Sequence, residues 1–321
     1  MRPSPETAGR YADLLSWLRG LQGAVLAFSG GVDSALLLAA AREALGDRLL
    51  AVTLVTPYTP ADDVAAAKSL AAALGTRHLL LERPIPDAIL ANPPERCYLC
   101  KRALFGELLS IARAEGLATL LEGSNADDLL ELRPGFRAVQ ELGVQSPLLA
   151  AGLVKAEIRR LARAQGLAVW NRPSGSCLLT RLPHGATVTE AALRRIDAGE
   201  GLLRSLGFLQ LRLRSHGELA RIEVPPEDLP RLLEAELRTV VVTRLRSLGY
   251  RYVTLDLALD QPGRCSLPAG LSAGGPTARG LAVPPALPPG IPGRCPGRAR
   301  RFFLWHGHWL FQRCNALFFR S

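Results

Sequence analysis

The run Ala24-Val25-Leu26-Ala27-Phe28-Ser29-Gly30-Gly31-Val32-Asp33-Ser34-Ala35-Leu36-Leu37-Leu38-Ala39-Ala40-Ala41 passes from one kind of local structure to another. Its first five residues form an apolar strand of the buried kind, and its last seven are strong helix formers. Between them lies Ser29-Gly30-Gly31-Val32-Asp33-Ser34. Two glycines let the backbone come close to an anion. The first amides of the following helix point outward unpaired, and the helix dipole favours negative charge there. Ser29 and Ser34 add hydroxyl donors. No Gly-Lys-Ser/Thr follows and the spacing is not G-x-G-x-x-G, so neither the Walker loop nor the dinucleotide fingerprint applies. A glycine-rich turn with an Asp/Ser helix start is the alternative that pattern alone leaves open.

The same six residues resemble the PP-loop, SGGxDS, of a superfamily of ATP-using enzymes. The resemblance implies that Ser29, Gly30, Gly31, Asp33 and Ser34 hold the pyrophosphate end of ATP. It also implies that Asp33 helps organise Mg2+ and that AMP is transferred to a carbonyl or carboxylate oxygen.

Outward from the loop, strands and helices alternate. Leu49–Val55 reads as a strand, residues 60–74 as an Ala-rich helix, and Arg77–Leu81 as a strand; a helix over Tyr98–Ala114 and a strand over Ala118–Leu121 follow. Such alternation predicts an α/β fold, a doubly wound parallel sheet with ligands at the carboxyl ends of its strands. Past Pro173 the pattern changes. Helices near 189–206 and 227–247 are interspersed with the half-exposed strand patterns Leu211–Arg214, Ala220–Val224 and Tyr252–Leu257, which predicts a smaller C-terminal α+β domain. The expected organisation is an ATP-binding domain over residues 1–172, an α+β domain over 173–264, and a tail over 265–321. Residues 170–188 form the joint, a common place for an active site.

Composition limits the partners. The 321 residues carry a net charge of +10 and are 48% hydrophobic, as expected of a globular protein with a sizeable core. No apolar run reaches the roughly 18 residues of a membrane span and the N-terminus has no apolar signal region, so a cytoplasmic location is expected. Seven arginines and no acid lie in residues 265–321, which leaves 32 basic against 29 acidic residues in the first 264, a balance of +3. So balanced a body argues against a large nucleic-acid footprint. The tail is rich in Pro and Gly and reads as a poorly ordered extension past the body. Its Cys265, Cys295, Cys314, His306 and His308 lack the spacing of a metal site.

Two cysteine features lie in the body. Trp170-Asn171-Arg172-Pro173-Ser174-Gly175-Ser176-Cys177-Leu178-Leu179-Thr180-Arg181 puts a cysteine on a polar loop between two arginines, whose charge is expected to favour the thiolate, the nucleophilic form. A small buried residue is the alternative. Arg96-Cys97-Tyr98-Leu99-Cys100-Lys101 puts C-x-x-C at a helix start, which suits thiolates, a redox pair or iron. Cys97, Cys100 and Cys177 together could supply three thiolates to a [4Fe-4S] cluster and leave its fourth iron open; otherwise the pair is an ordinary helix start.

Taken in order, SGGVDS, RCYLCK, EGSNADDLLELRPG, SPLLAAGLVKAEIR, RPSGSCLLTRLPHG and LRLRSHGELARIE resemble the LarE family, ATP-dependent sulfur transferases of nickel-pincer nucleotide biosynthesis. The resemblance spans about residues 10–260. It implies a nucleotide substrate, pyridinium-3,5-dicarboxylate mononucleotide, whose carboxylates are adenylated and become thiocarboxylates. Cys177 is implied as the catalytic cysteine. The three-cysteine set implies a [4Fe-4S] cluster on Cys97, Cys100 and Cys177 in place of sacrifice of one cysteine sulfur. Asp127 and Asp128 are implied near ATP, and Lys101, Arg133, Thr180, Arg181, Arg212 and Arg214 near the substrate. Thr180 replaces the family's serine. Arg212 and Arg214 could equally form the solvent face of a strand. Glu200 and Glu223 are candidate metal or positioning carboxylates. Homo-oligomers are implied, as is work beside the carboxylase and nickel-insertion enzymes that serve lactate racemase. The rival readings are a tRNA-thiolating PP-loop enzyme and an amidating synthetase.

Overall fold

The computed structural model describes residues 3–257, apart from 131–133, 174 and 176. Arg133 and the tail, with its three cysteines and two histidines, lie outside the described residues.

Helix α1 (Pro5–Arg19) starts on Ser4, whose side chain accepts from the Thr7 amide, and carries Pro5 in the first turn, where no N–H is needed. Strand β1 (Ala24–Ala27), helix α2 (Val32–Leu45), β2 (Leu49–Val55), α3 (Ala61–Ala73) and β3 (Arg77–Glu82) follow. Next come α4 (Arg96–Ala114), β4 (Thr119–Leu121) and the helices α5 (Pro134–Glu141), α6 (Pro147–Ala150) and α7 (Lys155–Ala164). The four strands are parallel in the order β3-β2-β1-β4, with Ala24 opposite both Leu49 and Thr119. Because β1 lies between β2 and β4, the crossovers diverge from it and a crevice opens beyond the carboxyl ends of β1 and β4. The glycine loop follows β1, and Glu122-Gly123-Ser124-Asn125 follows β4.

Both faces of the sheet are covered. On one, α2 is wedged among α1, α7 and the sheet, so that Leu36, Leu37 and Leu38 are all fully buried. Truncating any one to Ala costs about 2–5 kcal/mol. On the other face, Phe105 and Leu108 of α4 and Val139 of α5 pack on Val25, Leu50, Val52 and Leu120.

The second sheet has the order β5-β6-β7, built from β5 (Arg212–His216), β6 (Leu219–Glu223) and β7 (Tyr252–Leu255). An antiparallel β5–β6 hairpin is joined by β7 parallel to β6. Its core includes Leu203 of α8 (Glu190–Ser205), Leu213, Ile222 and Leu245. The single helix expected over 227–247 is instead α9 (Leu229–Leu233) and α10 (Ala235–Ser247), parted at Glu234, whose φ of −54° and ψ of 134° are not helical. Pro230 is tolerated only in a first turn, which is why α9 starts beside it.

The two sheets belong to one compact unit. An apolar layer of Tyr58, Ile89, Leu178, Leu179, Leu182 and Ile196 joins them. Polar ties cross the same joint: Asp62 to Arg204 at 2.9 Å, Asp63 to Arg172 at 2.8 Å, and the Ala61 amide to Asp197 at 3.2 Å. Among the described residues no helix is long and apolar enough to cross a membrane.

Candidate active site

The loop after β1 is shaped by close approach. Gly30 has φ +75°, and a Cβ there would lie 2.6 Å from the Asp63 carbonyl oxygen and 3.0 Å from the Ala67 nitrogen, so only glycine fits. Gly31 caps α2 with no side-chain hydrogen bond, leaving the first amides of the helix for an anion. Ser29 and Ser34 hydroxyls meet at 3.0 Å, and the Ser34 hydroxyl donates to the Gly31 carbonyl at 3.1 Å, which braces the turn. On the β4 side, Gly123 approaches so closely that a Cβ would meet the Ser34 nitrogen at 3.1 Å.

Asp33 receives the Asn125 side-chain amide at 3.3 Å and the Lys155 ammonium on its other oxygen. Asp127 accepts the Lys155 backbone amide at 2.8 Å, and Asp128 accepts the Asn125 amide at 3.1 Å. Asp127 and Asp128 therefore order the turn and the start of α7 through backbone amides. Lys155 and Asn125 were missed as site residues, although both lie inside motifs quoted above. Lys101 reaches Glu122 at 3.4 Å and lies over the Phe105 ring, next to the loop after β4.

Cys100 and Cys177 meet at the joint. Cys97 is exposed and Cys100 half-buried, one helical turn apart at the start of α4. The Tyr58 hydroxyl lies 3.1 Å from Cys100 Sγ, and the Tyr58 carbonyl accepts the Leu178 amide at 3.1 Å. Tyr58 thus touches both cysteine segments. Cys177 precedes a 3-10 turn, Leu178–Arg181, and its carbonyl accepts the Thr180 amide and hydroxyl at 3.0 and 2.8 Å. Cys100 and Cys177 pack on the same apolar layer.

The expectation that flanking arginines favour a Cys177 thiolate is overturned. Burial, with Cys100 and Cys97 adding to it against the Leu179 amide and Arg181, pushes the Cys177 thiol up to about 12. Arg172 is engaged with Asp63 at 2.8 Å and Arg181 with Glu200 at 2.7 Å, so neither guanidinium is committed to the sulfur. Burial raises Cys100 as well, with Tyr58 opposing. Among the described residues no three His, Cys, Asp or Glu side chains stand at metal-holding spacing.

Beside the thiols lies an arginine cluster. Buried Glu200 takes Arg181 on both oxygens at 2.7 and 3.2 Å, the Leu213 amide at 3.1 Å and Arg204 at 3.4 Å. Glu223 takes Arg214 at 2.8 and 3.0 Å and Arg221 at 3.1 Å. Of the two roles foreseen for these carboxylates, the contacts supply the positioning one; guanidinium groups occupy the oxygens a cation would need. Arg214 also donates to the Thr180 carbonyl at 2.6 Å, and Arg181 to the Thr180 hydroxyl at 2.7 Å. Arg212 differs. It is half-buried and has no ion pair or side-chain hydrogen bond among the described residues. Burial, then Arg181 and Arg214, depress its pKa, the mark of a cation among cations.

One residue links the glycine loop to the segment leading to Cys177. Asp63 is pressed by Gly30 through its carbonyl and by Gly175 through its carboxylate, where a Cβ on Gly175 would meet an oxygen at 3.3 Å. The glycine loop and the segment leading to Cys177 therefore meet at the N-terminus of α3.

A parallel sheet with an anion-binding loop at its switch point defines an ATP-using PP-loop enzyme. The NAD synthase family matches residues 17–92. The NH(3)-dependent NAD(+) synthetase of Pyrobaculum aerophilum is 31% identical over 166 residues, 48% of this chain and 61% of its own. The pyridinium-3,5-bisthiocarboxylic acid mononucleotide synthase of Lactiplantibacillus plantarum is 37% identical over 260 residues, 80% of this chain and 94% of its own. An uncharacterized protein of Synechocystis is 38% identical over 258 residues, 79% of this chain and 96% of its own. The chain belongs to the LarE family.

Proposed function

We propose that this chain is an ATP-dependent sulfur transferase that converts the carboxylates of pyridinium-3,5-dicarboxylate mononucleotide to thiocarboxylates, and that it works in the cytoplasm. A carboxylate is a poor electrophile. Its oxygen attacks the α-phosphorus of ATP, pyrophosphate leaves, and the acyl-adenylate that results carries AMP as a good leaving group. The amides of Gly30, Gly31 and the first turn of α2, with Lys155, suit the departing pyrophosphate. Mg2+ would neutralise phosphate charge, and partly exposed Asp33 would hold it once Lys155, which now occupies one of its oxygens, turns to the phosphates. Arg212, with Arg214 beside it, suits the phosphate of the substrate, since guanidinium forks match phosphate oxygens.

Sulfur then displaces AMP from the acyl carbon. The observation that carries this reading is the packing of Cys100 and Cys177 on one apolar layer, with Cys97 one helical turn from Cys100, next to a glycine loop that shares Asp63 with the Cys177 segment. Thiolate donors suit iron; Cys97, Cys100 and Cys177, which do not stand at metal-holding spacing as they lie here, would close on a [4Fe-4S] cluster, which would supply a place for the transferred sulfide. The protein's own part is to shield that sulfur in an apolar layer and to present it to the adenylate. Residues 1–172 would serve activation and residues 173–264 the substrate.

An amidating synthetase would have no use for Cys177. Cys177→Ala is expected to retain ATP-dependent pyrophosphate release with the biscarboxylate mononucleotide and to lose the sulfur-containing product. Retained product formation in that variant would contradict the reading.

A further inference from the structure

Between β3 and α4 the chain runs Ile89-Leu90-Ala91-Asn92-Pro93-Pro94-Glu95-Arg96, directly into the C-x-x-C turn. Asn92 is fully buried, and among the described residues it alone, apart from glycines, has a positive φ, at +45°. Asn tolerates that conformation better than most residues, yet a following proline disfavours it. Its Oδ1 has no hydrogen-bond partner among the described residues. A strained, buried side chain with an unpaired oxygen is kept for what its other atoms do.

Both hydrogens of its amide are in use. Nδ2 donates to the Leu182 carbonyl at 3.1 Å and to the Pro183 carbonyl at 2.8 Å. The Asn92 carbonyl accepts the Gly185 amide at 3.1 Å, and the Leu90 carbonyl accepts the Val188 amide at 2.8 Å. Arg96, next to Cys97, reaches His184 at 2.8 Å. These bonds tie the segment just after Cys177 to the segment just before Cys97.

We propose that Asn92 is the positioning residue of the three-thiol site, clamping the Cys177 segment onto the lead-in to Cys97 and Cys100 through its two amide hydrogens. The proposal rests on the reading of the three thiols as one sulfur-handling site. Among the described residues Asn92 makes no hydrogen bond to a sulfur; it acts on the spacing between the thiols.

The test measures that spacing without turnover. In full-length, metal-free, reduced protein carrying Cys97→Ser, dibromobimane fluoresces once both its ends have reacted, and peptide mapping separates a Cys100–Cys177 bridge from any bridge involving the tail cysteines. Asn92→Gly keeps the positive φ and removes the amide. Asn92→Asp keeps the size and removes the donors. Thr7→Ala, which loses a buried bond to Glu157 in α7, controls for stability. Circular dichroism fixes a temperature at which each protein is folded. The Cys100–Cys177 bridging rate is expected to fall about tenfold in both Asn92 variants, the effect of losing one or two buried hydrogen bonds, and to hold in Thr7→Ala. Equal rates in all proteins, or a fall in Asn92→Gly alone, would overturn the proposal while leaving the three-thiol site intact. A parent protein in which both thiols are alkylated but no Cys100–Cys177 bridge forms would overturn both.

Discussion

Among the arginines gathered around Thr180, Arg212 is set apart by having no ion pair among the described residues, although Glu223 and Glu200 lie close enough to oppose the depression of its pKa. Its neighbours Arg181 and Arg214 each hold a glutamate by two bonds, so they shape the site while Arg212 keeps donors for a ligand. Arg212→Gln is expected to weaken binding of the mononucleotide substrate by about 10- to 100-fold, the range for a lost charged hydrogen bond, with little change in melting temperature. Titration calorimetry reads the first and a thermal melt the second. Glu200 should behave in the opposite way. Glu200→Gln removes the buried negative charge that Arg181 and Arg204 share and is expected to cost about 3–5 kcal/mol of stability in urea unfolding; a stable variant with altered Mg2+ dependence would instead restore the metal reading. Residues such as Cys177 and Asp33 were legible because their types carry chemistry inside a motif. Tyr58, Asn92 and Lys155 were not, because an ordinary polar residue acquires its role from contacts distant in sequence.

At the scale of elements, α7 connects stability to the ATP loop. Its first residue gives its amide to Asp127 and its ammonium to Asp33, and its Glu157 is tied to α1 through Thr7 at 2.8 Å and Arg10 at 3.0 Å. Burial pushes the Glu157 carboxyl upward, but Thr7, the Val154 amide and Arg10 outweigh it and hold the group below its ordinary value. A carboxyl depressed in the folded state stabilises fully above its unfolded value and loses that contribution as pH falls through the folded one. The melting temperature of the parent should therefore exceed that of Glu157→Gln near neutrality, and the gap should close between about pH 5 and about pH 3. A constant gap would contradict the tie. Most elements were legible from periodicity, since buried parallel strands and flanking helices differ plainly in pattern. The break at Glu234 was not, because no turn residue marks it. Helix α7 was passed over although Ile158, Leu161 and Ala162 mark its buried face.

For the whole molecule, the sheet order puts the glycine loop and the β4 loop at one crevice, and the joint brings Cys177 to the C-x-x-C turn. The doubly wound fold could be read from alternating strands and helices; a shared role for cysteines 77 residues apart could be raised from the cysteines of the body and was implied by the family resemblance, but no local pattern places them side by side. The glycine loop and the segment leading to Cys177 meet at Asp63. The decisive measurement is an anaerobic turnover of iron- and sulfide-reconstituted protein with ATP and the biscarboxylate mononucleotide, followed by mass spectrometry of both product and protein. The prediction is a product with sulfur in place of oxygen, AMP and pyrophosphate in equal amounts, and a protein of unchanged mass. A protein that loses one cysteine sulfur per product, or pyrophosphate release with no sulfur in the product, would contradict it.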